Sequence, residues 1–375
     1  MKVLLTGAGG FLGWHARARL VATTDHEIVP VTRSTWPDLD RLVADADAII
    51  HVAGINRGPD RDVREGNLGL AEDLATAVRS SGARPNIVFA NSVQCGTPSP
   101  FGEGKAGAAA VLSGLATELG RPAVDVRLPN LFGEHGRPRY NSLVPTFIEA
   151  LLEGRTPFIE DRPIALLHVQ QAAQALIDAL GGGPGVIEPR GTPTTVRTVF
   201  DRLVEFHRLY TSGDIPPLLS DLDIDLFNTL RAAMFPAHCP IPLSTRSDSR
   251  GSLVEVVRAH GGQGQTFVSS TRPGMTRGEH FHLRKIERFV VLAGQARITL
   301  RRVFSHETVA FSVSGVRPCI VDMPTLWTHN ITNTGSSHLS TLSWTHERFD
   351  QDQPDTYPDP VAATPRELVD AGAGR

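Results

Sequence analysis

Short apolar runs alternate with longer helical stretches over the first half of this chain. The runs that read as buried strands lie at 3–5, 28–31, 48–52, 87–90 and 124–128. One helix is predicted from the turn at 7–13 to about residue 21, and others near 68–80 and 106–119. Strands that alternate with helices pair in parallel, and the helices cover both faces of the sheet. The first half therefore predicts a doubly wound α/β fold on a parallel sheet.

The pattern changes past about residue 236. Short apolar runs separated by Gly, Pro, Asn or Ser lie at 254–257, 266–270, 289–292, 296–300, 309–313 and 339–344. This spacing is typical of an antiparallel sandwich or a small barrel. The sequence therefore predicts an α/β domain over 1–238, with a substrate region from about 132. An all-β domain should follow over 239–361, and a flexible tail over 362–375.

Length, composition and charge narrow the class of protein. The 375 residues fit two domains, and 41% hydrophobic with 21% charged residues is normal for a folded chain. The 37 Lys+Arg nearly balance the 40 Asp+Glu, so no basic excess indicates nucleic acid. No apolar run approaches the roughly 20 residues that span a bilayer, and the first is too short for a signal peptide. With three scattered cysteines, the sequence predicts a cytoplasmic protein without nucleic-acid or membrane partners.

A glycine-rich turn follows the first predicted strand and opens the first helix. Gly7, Gly10 and Gly13 stand in the spacing GxxGxxG, around Phe11 and Leu12. Such glycines give a tight turn, let backbone N–H groups approach a pyrophosphate, and let the helix pack close to the sheet. The positive end of the helix dipole then faces the phosphates. The turn predicts dinucleotide binding, and a plain turn without a ligand is the alternative.

The end of the second strand indicates which dinucleotide is bound. An acidic residue there binds the ribose hydroxyls of NAD, whereas a basic residue meets the 2′-phosphate of NADP. The chain reads Val31-Thr32-Arg33-Ser34, with no carboxylate nearby. Arg33 therefore favours NADP(H), and a solvated surface arginine is the alternative.

The glycine turn resembles that of the extended short-chain dehydrogenase/reductase family, whose members largely act on nucleotide sugars. Further matches are His51-Val52-Ala53-Gly54, Asn67 and the run at 127–133. The resemblance implies a Rossmann-type sheet. It also implies that Phe11, Leu12, His51 and Ala53 lie at the cofactor together with the glycines.

The catalytic signature of that family is a serine followed by Tyr-x-x-x-Lys. Ser92 fits the serine and Lys105 fits the lysine, but Phe101 stands at the position of the tyrosine. In the family the tyrosine hydroxyl exchanges a proton with the substrate oxygen as hydride moves, while the lysine lowers its pKa and anchors the nicotinamide ribose. A phenyl ring cannot do this. Either Ser92 or water supplies the proton, or hydride transfer is crippled and the domain only binds.

A histidine-rich pattern in the second half resembles the first cupin motif. It reads G-x5-H-x-H-x4-E-x6-G, with His280, His282 and Glu287 at the ligand positions. Two histidines two apart on a strand project to one face, and a turn through 283–286 must aim Glu287 inward. His329 on a later strand completes the set. Three imidazoles and a carboxylate suit Zn²⁺, Fe²⁺, Mn²⁺ or Ni²⁺, with Zn²⁺ our first choice, and a polar strand face without metal is the alternative.

The other positions of this region are less regular. Leu326 occupies the usual glycine position of the second cupin motif, whose histidine is His329. Three histidines fit no ligand pattern, and we interpret them as surface residues: His306, His338 and His346.

A reductase domain followed by a cupin resembles the CapF-type bifunctional enzymes of capsule and O-antigen synthesis. The likeness runs over nearly the whole chain, and its most specific part is FDQDQPDTY at 349–357. It implies that the cupin epimerises C3 of a UDP-activated 4-keto-6-deoxy sugar and that the other domain reduces the C4 ketone with NADPH. It also implies a homodimer. By position, Lys285, Asn330 and Glu347 match family residues around the cupin cavity, and we take Lys285 as a catalytic candidate.

Three departures from the family pattern keep other interpretations open. They are Phe101, Leu283 in place of a histidine, and Val169-Gln170-Gln171 in place of Val-Asp-Asp. The first interpretation, which we prefer, is a bifunctional epimerase and NADPH-dependent 4-ketoreductase. The second is a cupin isomerase, epimerase or dehydratase whose other half binds nucleotide without reducing. The third is a non-enzymatic sensor of a sugar nucleotide or NADP(H).

Overall fold

The computed structural model describes residues 1–362, which form two compact units. The first unit comprises Met1–Thr146 and Ile159–Arg197, and the second comprises Phe147–Phe158 and the chain from Thr198. Beyond Ala362, the flexible tail predicted at 362–375 lies outside the described residues. No helix of the described chain is both long and apolar enough to cross a membrane.

The first unit contains nine strands and the helices that connect them. In chain order its strands are β1 (Lys2–Thr6), β2 (Glu27–Val31), β3 (Ala48–His51), β4 (Asn86–Ser92), β5 (Ala123–Leu128), β6 (Asn130–Phe132), β7 (Pro163–His168), β8 (Gly185–Ile187) and β9 (Thr192–Thr195). Its helices are α1 (Phe11–Thr23), α2 (Leu39–Val43), α3 (Asp60–Ser81), α4 (Pro100–Leu119), α5 (Leu143–Leu152), which ends in the second unit, and α6 (Val169–Asp178). Short 3₁₀ turns lie at Trp36–Asp38 and Ala179–Gly181.

A six-stranded parallel sheet in the order β2-β1-β3-β4-β5-β8 forms the centre of this unit. Helices cover both of its faces, so neighbouring residues of one strand are buried on opposite sides. Leu5 and Ile50 lie in one apolar cluster, whereas Leu4 and Ile49 lie in the other. The predicted parallel α/β fold is confirmed.

The second unit is dominated by strands. Its helices are α7 (Val196–Thr211), which begins at the end of the first unit, and α8 (Asp221–Met234). Its strands are β10 (Ile241–Pro242), β11 (Thr245–Asp248), β12 (Gly251–Val254), β13 (Gln265–Thr271), β14 (Thr276–Phe281), β15 (Glu287–Ala293), β16 (Gln295–Arg302), β17 (Thr308–Ser314), β18 (Cys319–Met323), β19 (Trp327–Asn333), β20 (Leu339–Thr345) and β21 (Tyr357–Pro358).

Two five-stranded antiparallel sheets form the body of this unit. Their orders are β10-β18-β15-β20-β13 and β17-β16-β19-β14-β21. Phe289 and Val321 of the first sheet share an apolar cluster with Ile298 and Ile331 of the second, so the sheets face each other across one core. The predicted all-β sandwich with the cupin fold is confirmed. The strand predicted at 254–257 is wrong beyond Val254, because β11 offers only four residues for β12 to pair with.

Helix α8 packs against the strands of the second unit. Asn228 Nδ2 donates to Arg284 O at 2.7 Å, and Arg231 Nη2 donates to Met323 O at 2.7 Å. Because of such contacts, the chain from Thr198 groups with the cupin strands. The grouping does not follow the boundary that we expected at 238, and the domain limits stay a prediction.

Candidate cofactor site and metal centre

The glycine turn between β1 and α1 is closed against neighbouring backbone. Gly7 has a φ of +68°, and a Cβ atom on it would lie 2.7 Å from Ala53 N. A Cβ atom on Gly13 would lie 2.1 Å from Gly7 O. Gly10 caps α1 without a side-chain hydrogen bond, so Phe11 and Leu12 open the helix with backbone donors that no cap occupies. This is the arrangement that binds phosphate at a helix N-terminus.

Two residues expected at the cofactor differ in their surroundings. His51 is 1% exposed, and its Nδ1 lies 2.8 Å from Thr6 Oγ1. The same hydroxyl accepts from Val52 N and Ala53 N. His51 therefore stabilises the loop beside Gly7 through its contact with Thr6. Burial, and then the charge of Lys105, lower the pKa of His51 to about 3, so the ring is neutral. Arg33 is exposed two residues beyond β2.

The predicted catalytic residues lie at the end of β4 and the start of α4. Ser92 is the last residue of β4, and Phe101 and Lys105 are one turn apart on α4. Lys105 is 7% exposed, and its Nζ donates to Ala90 O at 2.8 Å. Burial lowers the pKa of Lys105 to about 8, although the charge of Asp125 opposes this. The half-buried Phe101 brings no exchangeable proton.

The four residues expected to hold a metal converge on one point of the second unit. One donor atom from each of them lies within 4.8 Å of all the others: His280, His282, Glu287 and His329. Glu287 Oε2 lies 3.1 Å from both His282 Nε2 and His329 Nε2. Donors around a tetrahedral zinc ion lie about 3.3 Å apart, so these side chains fit such an ion with small adjustments.

Backbone carbonyls orient the histidine rings. His282 Nδ1 donates to Asp355 O at 2.5 Å, and His329 Nδ1 donates to Trp327 O at 3.2 Å. A histidine whose Nδ1 carries the proton presents its Nε2 lone pair to a metal. These carbonyls therefore orient both rings so that Nε2 is turned toward Glu287.

The electrostatics also suit a cation. Burial alone would raise the pKa of Glu287, but hydrogen bonds and charges of His282 and His329 outweigh it and hold that pKa well below its usual range. Burial, followed by the charges of its two neighbouring histidines, lowers the pKa of His280 to about 4. An ionised carboxylate beside a neutral imidazole is what a divalent metal requires.

The turn between β14 and β15 aims Glu287 at the histidines. Asp355 holds this turn, because its carboxylate accepts from Leu283 N at 3.0 Å, Arg284 N at 2.9 Å and Lys285 N at 2.6 Å. The sequence pattern indicated that a turn was needed but did not reveal Asp355. The only sequence signal for it was its place in the specific run at 349–357.

A bulge in β14 lies immediately before the metal-site residue His280. The register between β14 and β19 shifts between Gly278 and His280, where Glu279 has a φ of +62°. The carboxylate of Glu279 accepts from Asn330 Nδ2 at 2.7 Å and from Val361 N at 2.6 Å. Asn330 thus stabilises the bulge next to the metal centre. Bulges commonly re-aim side chains beside active sites.

Three further histidines and Leu326 complete the sequence-based expectations for this unit. His306 and His338 are exposed, as expected, but His346 is 4% exposed, so its interpretation as a surface residue is wrong. No sequence pattern indicates this burial, because His346 lies just beyond β20, where the two-residue alternation ends. Leu326 has a φ of +64° and is fully buried, so a leucine adopts the left-handed backbone that the motif usually gives to glycine.

Lys285 lies on the turn beside the metal centre. It is 6% exposed, and its Nζ donates to Pro354 O and lies 3.4 Å from Thr356 Oγ1. The ammonium group is therefore anchored to the same C-terminal run that holds the turn.

Both halves of the chain match known families. Residues 3–180 match the NAD dependent epimerase/dehydratase family, and residues 246–357 match the polysaccharide biosynthesis C-terminal domain. Together with the glycine turn and the sheet order, these matches define the class: a nucleotide-sugar epimerase/reductase with a nicotinamide dinucleotide domain.

Individual relatives narrow the class to one family. A UDP-2-acetamido-2,6-beta-L-arabino-hexul-4-ose reductase from Pseudomonas aeruginosa is 32% identical over 367 residues, which cover 95% of this chain and 98% of the relative. The chain belongs to this CapF-type family, as the sequence resemblance predicted. The structure of the capsular polysaccharide assembling protein CapF from Staphylococcus aureus shares 32% identity and a TM-score of 0.63, covering 96% of this chain and 100% of that one. A CapF structure with the inhibitor 3-isopropenyl-tropolone shares 30% identity and a TM-score of 0.58, with the same coverage.

Proposed function

We propose that this protein acts on a UDP-activated 4-keto-6-deoxy sugar in two steps, epimerisation at C3 in the cupin and reduction of the C4 ketone with NADPH. The observation that carries the proposal is the convergence of His280, His282, Glu287 and His329 in a chain that also has the glycine turn. A ketone acidifies the C–H bond beside it, so one carbonyl serves both steps. The Pseudomonas relative is named as a reductase of a UDP-hexul-4-ose, which is a substrate of this kind.

We propose Zn²⁺ as the metal of the cupin. A bound divalent ion would polarise the ketone oxygen and so make the neighbouring C–H bond more acidic. Glu287 and the three imidazoles suit this ion by donor type and separation. The tropolone in a related CapF structure is consistent with a metal, because tropolones chelate metals through two adjacent oxygen atoms. Lys285 would add positive charge near the polarised oxygen.

In the first unit, the described residues would suit the binding of a cofactor better than the transfer of a proton. The N-terminus of α1 would hold the pyrophosphate, and Lys105 would hold the nicotinamide ribose from its buried position. Ser92 can donate a hydrogen bond to a ketone. Phe101 favours a second candidate function, in which the cupin epimerises the sugar while this half only binds nucleotide. We also propose that the protein works in the cytoplasm as a homodimer, as the family resemblance implies.

One incubation tests both steps. Metal-replete protein, NADPH and a UDP-4-keto-6-deoxy-N-acetylhexosamine are mixed in D₂O. Deuterium at C3 by mass spectrometry reports epimerisation, and loss of absorbance at 340 nm reports reduction. Deuterium without NADPH oxidation would favour the second candidate function. The absence of both signals would contradict the proposal.

Arg33→Ala should erase most of the preference for NADPH over NADH. Charge-assisted hydrogen bonds to the 2′-phosphate are usually worth about 1.5–3 kcal/mol, or roughly 10- to 150-fold in affinity. NADH binding should hardly change. Calorimetry with both cofactors measures this, and Arg79→Ala, which removes an exposed arginine paired with Glu118, is the matched control. Equal affinity for both cofactors in the unmodified protein would show that Arg33 is only a surface charge.

Gly13→Ala should weaken NADPH binding and lower the melting temperature. Its Cβ atom would lie 2.1 Å from Gly7 O, so the turn must open, at a cost of about 1–3 kcal/mol. Gly114→Ala on α4 is the control, because nothing lies within 4 Å of its Cβ position. That change should stabilise the helix by about 0.5–1 kcal/mol. Unchanged NADPH affinity in Gly13→Ala would contradict the assignment of the turn as the phosphate site.

A further inference from the structure

Just beyond β20, a buried histidine precedes a glutamate that lines a cavity. His346 Nδ1 accepts from Ile286 N at 3.0 Å, so the ring proton of the neutral histidine is on Nε2. Within the described part of the chain this Nε2 has no hydrogen-bond partner, and Glu347 Oε2 lies 3.6 Å from it. Burial, and then the positive charges of neighbouring arginine and lysine side chains, lower the pKa of His346 to about 3. The ring is thus a neutral donor beside one carboxylate.

Glu347 lines a cavity of about 500 Å³ in the second unit. The other lining residues are polar apart from one phenylalanine: Gln263, Arg348, Phe349, Asp350, Gln351 and Gln353. Amide and guanidinium groups suit the hydroxyl, amide and phosphate groups of a sugar nucleotide. The cavity therefore offers room for a hydroxylated ligand beside the Glu347 carboxylate.

The same carboxylate lies close to the metal centre. Thr345, two residues before Glu347, pairs in register with Glu287, which is one of the four converging side chains. Burial and then the charge of Asp355 raise the pKa of Glu347, whereas the charges of Lys285, Arg284 and His282 oppose this. His346 N donates to Ile286 O at 3.3 Å, so the pairing of β20 with the chain before β15 continues one residue beyond β20. Glu347 therefore lies on the same side as Thr345 and Glu287 and can face a substrate held at the metal centre.

We propose that Glu347 takes the proton from the sugar carbon beside the ketone, and that His346 is a positioning residue whose Nε2–H dipole attracts the Glu347 carboxylate over 3.6 Å. This inference rests on the proposed epimerase function. As the C–H bond breaks, the proton joins Glu347, and the electron pair forms the C=C bond of an enolate whose charge is on the ketone oxygen. Water then returns a proton to the same carbon from the opposite face. The hydroxide that remains takes the proton from Glu347, so the carboxylate is restored.

The test follows C3 exchange of a UDP-4-keto-6-deoxy-N-acetylhexosamine in D₂O with metal-replete protein. Glu347→Gln should lower the exchange rate by roughly 10²- to 10⁴-fold, the usual contribution of a general base. Its metal content and melting temperature should stay unchanged. Glu205→Gln, which alters an exposed glutamate on α7, is the matched control and should exchange at the unmodified rate.

The role of His346 is separated by its pH profile. His346→Asn keeps an acceptor for Ile286 N–H but removes the Nε2–H beside Glu347. The pKa of Glu347 should then rise, so the acid limb of the exchange profile should move to higher pH by about 0.5–1 unit. His346→Gln places an amide N–H near the former Nε2 and should restore the limb. The groups that face Glu347 in every variant are Asp355, Lys285, Arg284 and His282.

The outcomes distinguish this inference from the proposed function. If the unmodified protein shows no exchange, the epimerase function fails and this inference fails with it. If the unmodified protein exchanges and Glu347→Gln stays within threefold of it, only the inference is overturned. Loss of bound metal in Glu347→Gln would also overturn it, because the carboxylate would then act on the metal centre. An unshifted acid limb in His346→Asn would remove the positioning role.

Discussion

Phe101→Tyr should raise the rate of NADPH-dependent ketone reduction by roughly one to four powers of ten. The phenol would stand one helical turn before Lys105, whose buried ammonium can lower the phenol pKa. A proton donor placed at a developing alkoxide contributes about 10²- to 10⁴-fold. NADPH affinity and C3 exchange should hardly change, because the substitution alters neither the glycine turn nor the cupin. The measurement is the initial rate of absorbance loss at 340 nm at saturating NADPH.

Two control variants test whether the gain depends on the position of the hydroxyl and on Lys105. Phe158→Tyr adds the same hydroxyl at a side chain that is 92% exposed, and it should leave the rate unchanged. Adding Lys105→Met to Phe101→Tyr should remove the gain, because the phenol then loses the neighbouring charge. Brisk NADPH oxidation by the unmodified protein, without any gain from Phe101→Tyr, would mean that another group is the acid. No oxidation in either protein, with NADPH bound, would indicate a remodelled sugar pocket.

The fold was predictable because its strands carry strong local signals. The central strands of the parallel sheet are buried on both faces, so Leu4, Leu5, Ile49 and Ile50 form contiguous apolar runs. The boundary between the units carried no such signal. Helices α7 and α8 continue the helical character of the first half, and only tertiary contacts such as Arg231 to Met323 O reveal where α8 packs.

The candidate site was predictable where spacing fixes direction. His280 and His282 are two apart on β14, so a strand places both on one face. His329 and Glu287 followed from the complete cupin pattern. The residues that hold the ligand segments in place could not be predicted in this way. Asp355 reaches the turn at 283–285 from about 70 residues away in the sequence, and no local pattern records such a bond.

Backbone strain was another feature that the residue spacing of the cupin motifs did not predict. Leu326 and Glu279 both have a positive φ, which residues with side chains rarely adopt. Each lies beside a metal-ligand segment: Leu326 N donates to His282 O at 2.8 Å, and Glu279 directly precedes His280. A leucine at a motif's glycine position therefore keeps the backbone course of the motif, because the surrounding bonds and burial compensate for the strain.

His329→Ala should remove most of the bound metal and abolish C3 exchange. His329 is fully buried, its Nε2 lies 3.1 Å from Glu287 Oε2, and it supplies one of the four converging donor atoms. Losing a group that only orients a ligand costs about 10- to 100-fold in metal affinity, so losing the ligand itself should cost more. Elemental analysis after dialysis measures the metal, and deuterium incorporation measures the exchange. His338→Ala is the matched control, because this exposed histidine lies outside the cluster and should leave both values unchanged. NADPH affinity should be the same in both variants, since the glycine turn belongs to the first unit. Stoichiometric metal in a His280→Ala/His329→Ala double variant would refute the assignment, because only two of the four donors would then remain.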